Sequence, residues 1–439
     1  MQDAIIAGWS SVDITPDIPC WMGGYGARTA PADAVHDPLY AHALALGTPD
    51  APLVLVVCDL VGVSEPLTRA VRERVSAAHP GATVWLGAVH THSGPDVARQ
   101  GIFATPAHDV NHAIQARIVA GSAAAAGEAI TAMRPRRVGW ASVAVRGVAT
   151  NRDHPERRTA IPLDLVCLYG ADTAANATGF EPATPLAVFG SFACHPTVMS
   201  AANLALSADL PGAFRRHLRE RLGAQTWIAL ATGAAGDVST RHVRQAQGFD
   251  ELQRLGDLLA DFAFDALAHA RPVHVAAGTP RHSVVRLESK AAANPSTLVA
   301  QEEQLRETLA RLPDTPGGKA RQRTLETALQ GIAVARRRVG TAEPALEVDV
   351  ATAALGDLGV VALPVELYSR LGDGIRESTG QPVLLLGYTN GYSGYVPTRE
   401  AYGELDYEVL RSVFAPGSGE RLRDAAIALL ADQRKGSGL

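Results

Sequence analysis

Residues 82–98 read ATVWLGAVHTHSGPDVA, a short apolar run that stops at two histidines. The run 82–89 has the length and composition of a strand buried on both faces, where apolar side chains occupy every position rather than alternate ones. Residues i and i+2 of a strand point to the same side, so His90 and His92 are expected to face one cation, or to divide metal binding and substrate contact between them. This stretch therefore predicts a buried strand that ends in two histidines able to bind a metal ion or a substrate.

The same pattern of an apolar run that stops at polar residues recurs along the chain. It is found at residues 52–60, 186–194, 227–231, 358–365 and 383–386. Amphipathic helical patterns lie between the runs, at residues 67–78, 211–222 and 250–270. Strands that alternate with helices predict an α/β fold, with a mixed and largely buried β-sheet core flanked by helices.

One segment, residues 298–339, differs from the rest in being rich in Glu, Gln, Arg and Leu. Leucines at helical spacing precede and follow the sequence PDTPGGK at 313–319, which interrupts a helix. The segment is therefore predicted to be a helical hairpin inserted in a single domain that spans residues 1–439. Its charges are typical of a solvated face, and a lid or a dimer contact is the alternative.

Composition excludes several classes of function. The formal net charge is −5 and aromatic residues make up 5% of the chain, so neither a basic face nor stacking platforms for nucleic acid are expected. No apolar run approaches the roughly 18 to 20 residues that a membrane-spanning helix needs. The expected partner is a small molecule, and the sequence leaves the oligomeric state open, a homo-oligomer included.

The cysteines and the N-terminus indicate a reducing compartment. The chain has 4 cysteines without CxxC spacing, and Cys58 and Cys167 lie in apolar runs that are typical of buried, reduced thiols. The first residues show neither a basic segment nor an apolar one, so no signal peptide is recognisable and a cytoplasmic location is expected.

Chemically capable side chains stand at the ends of the predicted strands. They are His90 and His92, His195, Asp237 and Ser239, Glu366, and Tyr392 with Tyr395. A single histidine at a strand end is usually structural, but strand ends meet at one edge of an α/β sheet, where functional groups collect. Zinc accepts histidine and carboxylate ligands in a site that keeps a position open for water, and it makes that water a nucleophile near neutral pH.

The order of the local motifs resembles the catalytic domain of the neutral, non-lysosomal ceramidases. HTHSGPD is followed by NRD at 151–153, SFACHPT at 191–197, GDVS at 236–239 and GYSGYVPTREAYGELDYE at 391–408. VDITP at 12–16 and HDPLYAHAL at 36–44 add to the resemblance, which extends over about residues 5 to 410. HTHSGP and the block at 391–408 are its specific parts.

This resemblance implies a role for each matching residue. The implied zinc ligands are His90, His195, Glu366 and Tyr395. The implied catalytic residues are His92, which would polarise the scissile carbonyl, Arg152, which would contact the substrate or its oxyanion, Ser239, beside the reacting amide, and Tyr407. The expected activity is zinc-dependent hydrolysis of the amide bond of an N-acyl compound by metal-activated water.

Three alternatives remain open at this point. A serine nucleophile could replace the activated water, although GDVS lacks the GxSxG elbow. The same site could serve an esterase or lactonase, or the chain could be an inactive binding module. The family's glycines are replaced in HTHSGPDVARQG, and no counterpart of the family's C-terminal sandwich-like domain is expected after the block at 391–408. A substrate smaller or more polar than long-chain ceramide is therefore expected.

Overall fold

Two β-sheets stacked face to face, with helices on both outer sides, form the protein. In the computed structural model, the described residues are 4–97, 111–176, 179–180, 183–291, 293–337, 339 and 345–437. Residues 98–101 of the loop that departs from the family's glycines, and residue 338 of the predicted hairpin, lie outside them. No described helix is both long enough and apolar enough to span a bilayer.

The longer strands and the helices are numbered along the chain. The strands are β1 (Ala4–Asp13), β2 (Tyr40–Thr48), β3 (Ala51–Cys58), β4 (Thr83–Ala88), β5 (Arg134–Val145), β6 (Ile161–Gly170), β7 (Ala187–Phe192), β8 (Trp227–Thr232), β9 (Arg281–Leu287), β10 (Leu346–Leu355), β11 (Leu358–Ala362) and β12 (Val383–Leu386). The helices are α1 (Glu65–Ala78), α2 (His112–Thr131), α3 (Leu210–Leu222), α4 (Phe249–Leu267), α5 (Pro295–Ala310), α6 (Pro316–Arg337), α7 (Ser369–Thr379), α8 (Tyr407–Arg411) and α9 (Ser418–Ser437).

The larger sheet has the strand order β8-β7-β6-β5-β1-β2-β3-β4, and the short strand Arg271–Pro272 also pairs with β5. The terminal pairs β7–β8 and β3–β4 are parallel, and the pairs between them are antiparallel. The second sheet has the order β9-β10-β11-β12, with one parallel pair, β11–β12. The predicted mixed sheet flanked by helices is confirmed.

Burial on both faces explains the unbroken apolar runs. In β2, Ala43 and Ala45 pack in a cluster with residues of α1 and α2, whereas Leu44 and Leu46 pack in a cluster with residues of the second sheet. Fully burying a leucine side chain stabilises a fold by about 1.5–3 kcal/mol relative to exposure. Because each sheet has a helix layer on one face and the other sheet on the opposite face, its central strands need apolar residues at every position.

The predicted helical hairpin is present as α5 and α6. Its two helices pack on each other through Leu298, Leu305, Leu325 and Ile332, and Leu410 of α8 completes this apolar cluster. The inner face of the hairpin is therefore buried against α8, which begins at the end of the 391–408 motif block, and the remaining face carries its charges.

Cysteines follow the prediction as well. Cys20, Cys58, Cys167 and Cys194 are all free and buried. Burial raises the pKa of each of these thiols, to about 11 for Cys20 and to about 12 for Cys58. They are inert thiols of the core.

Candidate active site

His90 and His92 lie in a turn after β4 rather than in the strand. The strand ends at Ala88, and His90 has a φ of 68°, in the left-handed region that few residues other than glycine adopt. The two imidazole rings meet edge to face with centroids 5.0 Å apart. The predicted proximity is present, but the expected cause, alternation along a strand, is wrong, because the turn at His90 brings the rings together.

Two histidines and a glutamate converge from both sheets. His195 follows β7 and Glu366 follows β11, and their Nε2 and Oε2 atoms are 2.8 Å apart. The Nε2 of His90 lies 3.4 Å from the same carboxylate oxygen. All three side chains are buried, and their ligand atoms lie within 4.8 Å of one another. These are three of the four residues that the resemblance implied as metal ligands.

Hydrogen bonds on the outer side of both rings fix which nitrogen faces Glu366. The Nδ1 of His90 lies 2.5 Å from the carbonyl oxygen of Val61, and the Nδ1 of His195 lies 2.7 Å from that of Ala235. A carbonyl oxygen only accepts, so each Nδ1 carries the proton of the neutral ring. Each Nε2 then points a lone pair, without a proton, toward the carboxylate.

The protonation states favour this neutral arrangement. Burial lowers the pKa of His195 to about 4, helped by the positive charge of Arg152. Burial also lowers the pKa of His90. Burial opposes ionisation of Glu366, but a proton on His90 or His195 outweighs this effect and holds the pKa of that carboxyl well below its usual range. When both rings are neutral, two imidazole nitrogens and a carboxylate face one another with no proton between them and form a donor set that fits a divalent metal ion.

Tyrosines complete the surroundings of the carboxylate. The Tyr392 hydroxyl donates to Oε1 of Glu366, and the Tyr388 hydroxyl lies 3.4 Å from Oε2. The Tyr395 hydroxyl lies 3.5 Å from Nε2 of His195. Burial raises the pKa of the Tyr395 phenol, against the opposing charge of Arg152. Tyr395 therefore lies where the resemblance implied a fourth ligand, and Tyr392 is the tyrosine that orients Glu366.

Arg152 stands behind Tyr395. Its guanidinium carbon lies 5.2 Å from the centre of the Tyr395 ring, its Nη2 donates to the carbonyl oxygen of Gly236 at 2.7 Å, and it forms an ion pair with the buried Glu408. Sequence reasoning did not identify Glu408 as a site residue. The partner of Arg152 was hidden because the two residues belong to motifs far apart in the chain.

Ser239 lies directly beside His195. The main-chain N–H of His195 donates to the carbonyl oxygen of Val238 at 2.9 Å, and the short strand Val238–Ser239 pairs with Thr150–Asn151. The Ser239 hydroxyl oxygen accepts from the N–H of Arg241 at 3.3 Å. Among the described residues, no imidazole or carboxylate is hydrogen-bonded to this hydroxyl.

Asp237, the other polar residue of this loop, has a structural role. Its carboxylate accepts from the N–H of Ser369 at 2.6 Å and from the side-chain amide of Asn151 at 2.9 Å. It therefore ties the NRD loop, the GDVS loop and the start of α7 together.

His92 borders the metal-ligand group on one side. Its Nε2 lies 3.4 Å from that of His90, and its ring contacts Tyr25 edge to face at 4.7 Å. Tyr407, at the start of α8, borders the group on the other side, with its ring 5.9 Å from that of Tyr395. The implied catalytic residues thus surround the three converging ligands. Tyr25 was not predicted, because the sequence around it, GGYGAR, carries no recognisable pattern.

A second group that combines histidine with carboxylates is already balanced by ion pairs. His154 contacts Glu404 and lies 3.6 Å from Asp406. Arg157 pairs with the same Glu404 at 2.8 Å. This group is partly exposed, and its charges belong to an ion-pair network that links the NRD loop to the segment before α8.

Solved structures with a similar fold include two ceramidases. The protein is similar in structure to a neutral ceramidase from Pseudomonas aeruginosa, with a TM-score of 0.74 and 20% identity over 98% of this chain and 75% of that one. It is similar to a ceramidase complexed with C2, with a TM-score of 0.73 and 19% identity over 99% of this chain and 76% of that one.

The sequence itself matches a known family. The model for the N-terminal part of the neutral/alkaline non-lysosomal ceramidases matches residues 6–245, more than half of the chain. The chain belongs to this family, whose chemistry supports an amide-hydrolysing enzyme. A comparison with curated protein sequences finds no match.

Proposed function

We propose that the protein is a zinc-dependent hydrolase that cleaves the amide bond of an N-acyl compound. The observation that carries the proposal is the convergence of two neutral imidazole nitrogens on one ionised carboxylate, described above for His90, His195 and Glu366. Membership of the ceramidase family supports the amide as the bond that is cleaved.

The proposed zinc ligands are His90, His195, Glu366 and Tyr395. Zinc bound there would supply a Lewis acid and an activated water next to the amide. Tyr392 holds the orientation of Glu366, and the carbonyl oxygens behind both imidazoles fix their tautomers. Loss of such an outer hydrogen bond typically lowers metal affinity or activity by about 10- to 100-fold.

The remaining residues act on the amide. The ring of His92 contacts that of His90. It offers an N–H to the carbonyl oxygen of the scissile amide as negative charge develops on that oxygen. Arg152 adds a positive charge behind Tyr395, held in place by Glu408. Donors that are already oriented before the reaction are the largest single contribution to catalysis of acyl transfer. Tyr407 closes the side of the site next to Tyr395.

Metal content and activity of ligand variants test the proposal. We expect the purified chain to contain about one zinc per subunit and to release amine from N-acyl amides, with the activity abolished by a chelator and restored by zinc. His90→Ala and His195→Ala should lose metal and activity. His282→Ala, which removes an exposed histidine of β9, is the matched control. Full metal occupancy in both ligand variants would contradict the assignment of the ligands, and a panel of esters and lactones would reveal a preference for those bonds.

A further inference from the structure

Two arginines, Arg241 and Arg244, follow Ser239 in the sequence GDVSTRHVR. A turn follows Thr240, whose carbonyl oxygen accepts from the N–H groups of Val243 at 3.0 Å and Arg244 at 2.9 Å. Arg241 and Arg244 are both partly buried. The turn therefore places two guanidinium groups close to the end of the site that carries Ser239.

The side-chain hydrogen bonds of both guanidinium groups go to main-chain carbonyl oxygens. Nη1 of Arg241 reaches only the carbonyl oxygen of Arg152, at 3.5 Å, and Nη1 of Arg244 donates to the carbonyl oxygen of Thr197. The buried Nε of Arg244 has no hydrogen-bond partner. Within the described part of the chain, no carboxylate forms an ion pair with either arginine. Arginine presents a rigid fork of donors, and most of these donors are unused here.

A third arginine adds positive charge from the opposite side. The guanidinium of Arg28 donates to the carbonyl oxygens of Gly23 at 3.1 Å and of His92 at 3.0 Å, and it lies 5.4 Å from the centre of the Tyr25 ring. No described carboxylate pairs with it either. Burial raises the pKa of the Tyr25 phenol, Asp209 adds to this, and the charges of Arg244, Arg28 and Arg241 oppose it. The three guanidinium groups therefore act electrostatically on one tyrosine, which itself contacts His92.

Asp209, the carboxylate that acts on both Tyr25 and Arg244, is committed to main-chain donors. Asp209 is buried, and its two oxygens accept from the main-chain N–H groups of Val198, Met199 and Leu210. Burial lowers the pKa of Arg241, of Arg244 and of Arg28, and the charges of Asp153 and Glu408 at Arg241 and of Asp209 at Arg244 oppose this only in part. Leaving such cations unpaired is unfavourable, and a bidentate carboxylate is the ligand that fits their geometry best.

We infer that Arg241 and Arg244 form a subsite for a carboxylate on the amine part of the substrate, so that the enzyme's preferred substrates are N-acyl amino acids. This inference rests on the proposed amide hydrolysis. Arg28, whose Nη1 and Nη2 groups already donate to main-chain carbonyls, contributes charge rather than direct contacts. The subsite lies beside Ser239 and His92, which flank the reacting amide, so the carboxylate would be held next to the nitrogen that leaves.

A pair of substrates with the same acyl chain tests the inference. The zinc-loaded protein is assayed with N-lauroylglycine and with neutral N-lauroylglycinamide. We expect kcat/KM to be higher for the acid by about 10- to 100-fold, the range expected for hydrogen bonds to a charged group. Arg241→Gln and Arg244→Gln should each lower the ratio of acid to amide toward one. Arg221→Gln, which alters a surface arginine of α3 paired with Asp257 and Asp261, should leave the ratio unchanged.

The outcomes separate the inference from the function on which it rests. The carboxylate subsite is overturned if both amides are hydrolysed without a preference for the acid, or if the preference survives both substitutions. Either result leaves the proposed amide hydrolysis standing. If neither compound is hydrolysed, equilibrium binding of N-lauroylglycine is measured by calorimetry. If N-lauroylglycine binds, N-lauroylglycinamide does not, and Arg244→Gln abolishes the binding, the subsite is supported although the proposed function has failed. If the two compounds bind equally, or neither binds, both the subsite and the proposed function are overturned. Thermal unfolding and zinc content of each variant show that it is folded.

Discussion

Gly24 lies against the imidazole of His92 so closely that a Cβ at residue 24 would come within 2.6 Å of the ring's Nδ1. The φ of Gly24 is 93°, which disfavours any residue with a side chain. The position of His92 beside His90 therefore depends on a glycine in a different segment of the chain.

Gly24→Ala should displace His92 without removing a metal ligand. We expect zinc content to stay at the wild-type level while kcat/KM for amide hydrolysis falls by at least about 10-fold, because an oriented donor to the carbonyl is lost. Gly26→Ala is the matched control, since an added Cβ there meets no atom within 4 Å. Equal activity of the two variants would show that His92 has no part in the reaction.

Removing the Tyr392 hydroxyl should weaken the metal site through Glu366. Tyr392→Phe deletes the hydrogen bond to Oε1 and frees the carboxylate to rotate. We expect zinc affinity to fall by about 10- to 100-fold, as is typical when a ligand loses its outer partner. Tyr402→Phe deletes a tyrosine hydrogen bond to the carbonyl oxygen of Phe414, away from the metal ligands, and serves as the control. Competition with a chromophoric chelator gives both affinities.

The sequence predicts a site residue where the signal lies next to it in the chain, and fails where the residue's partner lies far away in the chain. His90, His195 and Glu366 could be proposed because each follows an apolar run, and strand ends align at one edge of a sheet. Tyr392 could also be named as a candidate, but its hydrogen bond to Glu366 and the ion pair of Glu408 with Arg152 could not be predicted, since only the folded chain brings these partners together. The turn at His90 was missed for a related reason, because nothing in HTHS specifies a positive φ.

The elements of the fold likewise divide into those that the sequence predicts and those that it does not. Strands with continuous apolar runs, such as β3 and β4, were predicted within a few residues. The helix α2 was not predicted. Its sequence is rich in alanine and its buried residues include small ones such as Gly121 and Ser122, so no apolar stripe marks its inner face. The strand β1 mixes small, polar and apolar residues and was missed as well.

Tyr395 should become a metal ligand only by losing its proton. Burial raises the pKa of its phenol in the metal-free protein, so the hydroxyl is protonated there at neutral pH. We expect zinc addition to produce the ultraviolet difference spectrum of a tyrosinate in the wild type and in Tyr392→Phe, and none in Tyr395→Phe. A tyrosinate signal that persists in Tyr395→Phe would assign the ligand role to another tyrosine.

Ser239→Ala should retain zinc and lose activity only in part. Its hydroxyl has no hydrogen-bonded imidazole among the described residues, so no general base is in place to make it a nucleophile. Loss of one positioned hydroxyl typically lowers kcat by about 100- to 1,000-fold. A burst of amine release in the wild type, or an acyl group on Ser239 detected by mass spectrometry, would favour the serine mechanism instead.

A buried ion pair supports the loop that orients His90. Asp59 and Arg215 form two parallel hydrogen bonds, of 2.8 Å and 2.7 Å, and both side chains are buried. Leu60 and Val61, directly after Asp59, accept hydrogen bonds from the main chain and the ring of His90. A displacement of Asp59 would therefore reach His90 through these two hydrogen bonds.

Arg215→Met should destabilise the protein strongly, because it leaves the Asp59 carboxylate buried without its cation. We expect a loss of roughly 3 to 5 kcal/mol in the free energy of unfolding. The double variant Asp59→Asn/Arg215→Met should recover much of that loss, since no unpaired charge remains. Arg221→Met, which breaks surface ion pairs, should cost less than about 1 kcal/mol. Urea unfolding of the metal-free proteins measures all three.

The effect of Arg215→Met should also depend on pH. Burial already raises the pKa of Asp59, and Arg215 is the main group that opposes this. Without the arginine, the folded state binds a proton more readily than the unfolded state, so its stability falls as the pH rises through the unfolded pKa of the carboxyl and up to the raised folded pKa. The difference in unfolding free energy between wild type and Arg215→Met should therefore shrink as the pH is lowered, and in the double variant, which has no carboxyl at residue 59, this dependence should disappear. A pH-independent difference in the single variant would mean that the ion pair acts through packing rather than charge.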